Sequence, residues 1–251
     1  MNLLNISHNR ILRFNVIAIF ISIFACQLLP SLAKDKKPDF SRTDQPPKSK
    51  PAGSRGDCAD SNKPLTIIAP ASSGNIGLTT KERPTFWAYL PYVNLPENAL
   101  KFELRNEQGK NIYKKEFSRG QVSPGTISIN LPQEVPALEV GKLYRWHLSV
   151  YCKQKPSIPD VVSGWVKRVE LDPKITQQIE KASPLERSKI YAQNTIWYDA
   201  VTVLAEELRT NPKNQEFLAR WTELLELPSV GLNQFVSEPI TPCCSLQNLL
   251  R

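Results

Sequence analysis

His147 and Ser149 lie two residues apart in a stretch whose apolar residues alternate from Tyr144 to Cys152. An imidazole that takes the proton of a hydroxyl is the heart of acyl-transfer chemistry. Residues two apart on a strand, however, point the same way without touching well, and the chain has no G-x-S-x-G elbow. His147 therefore reads as a surface histidine. Paired carboxylates, the machinery of glycoside hydrolysis, occur as Glu206-Glu207 and Glu223/Glu226. Both pairs flank apolar helical stripes and read as solvated faces. No set of His, Cys and carboxylates has metal-ligand spacing, and no phosphate-binding glycine loop or dinucleotide fingerprint is present. No catalytic, cofactor-binding or metal-binding residue is assigned.

The cysteines and the aromatic residues remain as candidates. Of five cysteines, Cys58 precedes the first strand signal and Cys152 ends a strand. In an oxidising compartment the two are expected to form a disulfide; the alternative for Cys152 is a small buried thiol. Cys243 or Cys244 could compete for either, but a bond between these two neighbours is strained. They are expected free, paired between chains, or metal-bound, in that order. Trp87 and Tyr89 have the opposite parity from Phe86 and Leu90, and Trp197-Tyr198 open a helical pattern. These four either pack in the core or form an aromatic surface that binds sugars or peptides.

The elements that must position these residues begin after a leader. Arg10 and Arg13 precede a short apolar run over residues 16–29, and Ser31-Leu32-Ala33 supplies small residues at a cleavage site. Residues 1–33 are expected to be a signal peptide cut after Ala33; the alternatives are an uncleaved anchor and a lipoprotein modified at Cys26. Residues 34–63 are polar, basic and Pro-rich, which predicts a disordered tether. Residues 64–171 carry about seven strand signals with Gly/Pro turns between them. The run TFWAYL, bounded by Pro84 and Pro91, is the most aromatic. Residues 99–105 and 111–117 read as a hairpin around Asn106-Glu107-Gln108-Gly109. The pattern predicts an antiparallel immunoglobulin- or fibronectin-like sandwich.

At Asp172-Pro173 the period changes to about 3.6. Asp172 and Ser183 are helix caps, each followed by proline. Trp197, Ala200, Val201, Leu204 and Leu208 line one helix, and Phe217, Leu218, Trp221, Leu224 and Leu225 line the next. Residues 172–235 form a helical subdomain, and Tyr191, Ala200, Leu204 and Pro212 resemble a partial tetratricopeptide helix pair. One such unit cannot build a solenoid. Residues 236–251 are a tail. The fold class is α+β.

The net charge is +8, and removing residues 1–33 takes away Arg10 and Arg13 and no acidic residue. Basic and acidic residues are interspersed, so a solvated surface is expected rather than a nucleic-acid partner.

Three stretches, GLTTKERPTFWAYLP, EVGKLYRWHLSVYC and NTIWYDAVTVLAEELRTNP, resemble motifs found in this order in an uncharacterised family. It is the domain-of-unknown-function family numbered nine hundred and twenty-eight, whose members are exported proteins of cyanobacteria. The resemblance covers residues 58–235 and brings no activity, cofactor or catalytic residue. One departure is Thr195, where relatives tend to have glycine. The chain is thus expected to be an exported, periplasmic or extracellular, non-enzymatic module. It would bind a protein or envelope component, and no membrane span would remain after signal removal. The alternatives are a hydrolase of envelope sugar or ester bonds and a lipid-anchored structural protein.

Overall fold

Alternation of apolar and polar residues makes the strands of this protein, and a later 3.6 period makes its helices. The computed structural model describes residues 37–41, 63–92, 95–96, 99–117, 124–152 and 158–241, all within the unit Lys37–Arg251. The strands are β1 (Thr66–Ile67), β2 (Ile76–Thr79), β3 (Thr85–Leu90), β4 (Leu100–Arg105), β5 (Asn111–Phe117), β6 (Gly125–Asn130), β7 (Leu143–Val150) and β8 (Asp160–Arg168). The helices are α1 (Pro173–Lys181), α2 (Pro184–Gln193), α3 (Trp197–Thr210) and α4 (Gln215–Leu225). The chain is therefore α+β.

The strands form two sheets, ordered β1-β3-β6 and β2-β8-β7-β4-β5. All pairs are antiparallel except β2 with β8, where Ile76 meets Trp165 and Thr79 meets Arg168. This parallel pair corrects the all-antiparallel expectation. Five strands separate β2 from β8, and a parallel pair needs a long connection of this kind. Residues 76–79 carry no strand signal of their own, because Gly74, Asn75 and Gly77 have the composition of a turn. Gly74 and Asn75 do have left-handed backbones, at φ 67° and 65°, and the strand starts directly after them.

β3 is buried along nearly all its length. On one side Phe86 meets Phe102 at 5.1 Å and Trp146 at 5.3 Å, joining the two sheets. On the other, Tyr89 lies 4.9 Å from Phe235, and Trp87 is held by α3. Each fully buried side chain of this size contributes about 2–3 kcal/mol. The expected hairpin is present. β4 and β5 pair antiparallel, and the Gly109 N–H donates to the Asn106 carbonyl with Gly109 at φ 78°.

The predicted caps form. The Asp172 carboxylate accepts from the Lys174 N–H at 2.7 Å, and the Ser183 hydroxyl accepts from the Glu186 N–H at 3.3 Å. Trp221 is 1% exposed within the apolar stripe of α4. Gly77 lets α3 approach β2. A methyl group there would lie 2.5 Å from Tyr198 Cε2 and 3.1 Å from Trp197 Cδ1.

The tether expectation fails at Phe40. This residue is fully buried, sits edge-on to Trp197 at 5.1 Å, and its N–H donates to the Ser229 hydroxyl. A single aromatic residue in a polar run leaves no periodicity to read, yet it brings enough apolar area to dock. The leader, residues 42–62 of the tether, Cys58, Cys243 and Cys244 lie outside the described residues.

Candidate functional site

The candidate aromatic surface is core. Trp87, Tyr89, Trp197 and Tyr198 are 0%, 5%, 0% and 1% exposed. Their polar atoms are spent inside the fold, as buried donors require. Trp87 Nε1 donates to Thr202 Oγ1 at 2.9 Å, Trp197 Nε1 to the Ile68 carbonyl at 2.8 Å, and Trp146 Nε1 to the Tyr198 hydroxyl at 2.8 Å. The Tyr198 hydroxyl in turn donates to the Trp165 carbonyl at 3.1 Å, and burial pushes its pKa up. The Arg209 guanidinium covers the Trp87 ring at 5.4 Å. The platform reading gives way because α3 and the turn at Asn233–Phe235 supply a second layer over β3.

A buried carboxylate ties the same helix to the sheet. Asp199, 3% exposed in the first turn of α3, accepts from the Thr79 hydroxyl at 2.7 Å, the Thr80 hydroxyl at 2.6 Å and the Thr80 N–H at 3.2 Å. Burial pushes its pKa up, and the two threonines and then Lys81 oppose that rise. With every bond internal, this group is a joint between β2 and α3.

The polar chemistry lies on the outer face of the five-stranded sheet. Antiparallel register sets Lys101, Glu103 and Arg105 of β4 against Ser149, His147 and Arg145 of β7. Arg145 and His147 then face Trp165 and Ser163 of β8. Paired residues share a face, and these alternate with the buried Phe102, Leu104, Trp146 and Leu148. Glu103 is the hub, with Lys101 Nζ at 3.0 Å and Arg105 Nη2 at 2.9 Å. Burial works to raise its pKa, but Lys101 and then Arg105 outweigh that and hold the carboxyl below its usual range. The Arg145 guanidinium lies 5.4 Å over the Trp165 ring, and its Nη2 donates to the Ser163 hydroxyl at 3.2 Å. Burial, then Arg145 and Arg105, lower the His147 pKa to about 4, with Glu103 opposing. His147 is therefore neutral near pH 7.

Among the described residues no hydrogen bond joins His147 to Ser149 or to Ser163. Glu206 is exposed and Glu223 pairs with Arg220 at 2.7 Å. No group of three or more His, Cys, Asp or Glu among the described residues is placed to hold a metal. A depression of about 240 Å³ beside the β4–β5 turn carries two carboxylates that the sequence reading did not single out, Glu107 and Glu139. Glu107 Oε1 there accepts from the Leu143 N–H at 2.9 Å. Cys152 is buried just beyond β7.

Two stacked sheets with a helical layer, and a polar outer face on the larger sheet, define the class of protein before any comparison. The chain matches the family described as Domain of Unknown Function (DUF928) over residues 50–240, and it belongs to that family. A comparison with curated proteins finds no match. The three motifs meet in space: GLTT supplies Thr79 and Thr80, NTIWYDA supplies Asp199 and Tyr198, and YRWH supplies Arg145, Trp146 and His147. The arginine pair went unseen because cross-strand register is not written in one strand alone. The signal that was there is the shared alternation of Lys101-Glu103-Arg105 and Arg145-His147-Ser149.

Proposed function

We propose that this protein is an exported, non-enzymatic binding module of the cell envelope, and that it binds through the outer face of its five-stranded sheet. The observation that carries this reading is the register of β5, β4, β7 and β8, which collects Lys101, Arg105, Lys114 and Arg145 on one face against two carboxylates, Glu103 and Glu116. A face with surplus positive charge favours an anionic partner and speeds its encounter. Export rests on the leader pattern in residues 1–33. It also fits a Cys58–Cys152 disulfide, for which the support is the place of Cys152, buried just beyond β7. Peptide mapping without reductant identifies the partner, and a Cys152 peptide joined elsewhere removes that pairing. No helix among the described residues is long and apolar enough to cross a membrane.

Within this reading the β part is an immunoglobulin- or fibronectin-like sandwich and α2–α3 a tetratricopeptide-like pair. Support comes from the two facing sheets and from Ser188 of α2, whose hydroxyl donates to the Ala200 carbonyl of α3 at 3.2 Å. The test is co-sedimentation of the purified protein with isolated envelope material. Binding that falls with added salt and is lost in a Lys101→Glu/Arg145→Glu variant supports the reading. Equal binding by the folded variant removes it.

A hydrolase of envelope sugar or ester bonds is the second reading, and its support is the depression that carries Glu107 and Glu139. Glu107 is already engaged in holding the Leu143 backbone, which is a structural use. Turnover of a cell-wall glycan that disappears in Glu139→Gln would favour the hydrolase.

A further inference from the structure

The cross-strand register makes Arg105 and Arg145 direct neighbours. Like charges placed opposite each other destabilise a sheet unless something lies between them. Arg105 has its counter-ion in Glu103 and a second acceptor in Asn111 Oδ1, 3.0 Å from Arg105 Nε. Arg145 has neither. Its polar contact is the neutral Ser163 hydroxyl, and its Nε is buried with no hydrogen-bond partner. No carboxylate among the described residues forms an ion pair with it. Burial and the facing Arg105 both work against its charge. The guanidinium lies 5.4 Å over the Trp165 indole, which restricts its movement.

A planar guanidinium without a counter-ion, set over an indole and paired across the strands with a second arginine, suits an oxyanion. We propose that Arg145 and Arg105 form a binding site for one oxyanion group of the partner, a carboxylate or a phosphate ester. The site rests on the binding-face reading above and gives its ligand chemistry. The anion replaces the counter-ion that Arg145 lacks and cancels the repulsion between the two arginines. His147, between Glu103 and Ser163 in the adjacent cross-strand row, is a neutral reporter of that change. A bound anion opposes the two arginine charges that depress its pKa.

The test is proton NMR of the His147 ring across pH, assigned with His147→Gln. Titrations use sodium phosphate, sodium glucuronate and sodium chloride at equal ionic strength. A saturable change with phosphate or glucuronate, absent with chloride and raising the His147 pKa by about one unit, supports the site. The stronger of the two anions identifies the source. Arg145→Gln should abolish the saturable change, and Arg145→Lys, which keeps the charge and loses the fork, should weaken it at least tenfold. A response identical for all three salts, or one unaltered in folded Arg145→Gln, overturns the site. In that outcome, envelope binding lost in the charge-reversed variant would leave the binding face standing. Anion binding without any envelope binding would instead remove the face and keep the site.

Discussion

Asp199 on α3 receives the hydroxyl of Thr79 on β2 at 2.7 Å, across 120 residues of chain. The carboxylate stands in for the water that the buried Thr79 and the half-buried Thr80 give up. Asp199→Ala leaves those donors unpaired inside the fold, at a cost of about 2–3 kcal/mol. Urea unfolding measures it. A loss below about 0.5 kcal/mol would mean that water reaches the joint.

Thr195 sits between α2 and α3 at φ 61°, a left-handed conformation that a β-branched residue adopts only under strain. Thr195→Gly relieves the strain, and only part of the gain is offset by glycine's greater unfolded entropy. The expected result is a rise in stability of about 1 kcal/mol, read from the thermal midpoint. A fall would mean that the Thr195 hydroxyl bond to the Asn194 carbonyl outweighs the strain.

Phe40 docks a short segment against Trp197. Phe40→Ala is expected to cost about 2–3 kcal/mol, at the low side for a buried phenylalanine because the segment can detach by itself. Hydrogen exchange should then rise around Ser229, which receives the Phe40 N–H. An unchanged melt would return residues 37–41 to the status of a tether.

His147 is held neutral with its folded pKa depressed from 6.5 to about 4. Between those values the unfolded chain binds the proton and the folded chain does not. Stability from this group is complete above about pH 6.5 and is lost as pH falls toward 4. Discounted for solvent screening on a partly exposed face, the loss is about 1–2 kcal/mol. His147→Gln should flatten that part of the stability-against-pH curve. Parallel curves would show that the imidazole titrates normally.

Much of this fold could be read along single segments. The alternation at Leu100-Phe102-Leu104 and Tyr144-Trp146-Leu148 gave β4 and β7, and Asp172 and Ser183 marked two helix starts. What stayed hidden depends on two segments at once. β2 is four residues long and follows a turn, so its parallel partner could not be foreseen. The buried state of Trp87 and Tyr89 depends on α3 and Phe235 arriving from more than 100 residues away. The Arg105–Arg145 cross-strand pairing depends on register, which no strand specifies alone.

The central claim is that the outer face of the five-stranded sheet is where this protein binds. Hydrogen–deuterium exchange of the intact protein, alone and with saturating envelope material, tests it most directly. The expected result is slower exchange in β4, β7 and β8 around Glu103, His147 and Ser163, with α3 and α4 unchanged. Protection confined to the helices, or to the depression at Glu107 and Glu139, would contradict it.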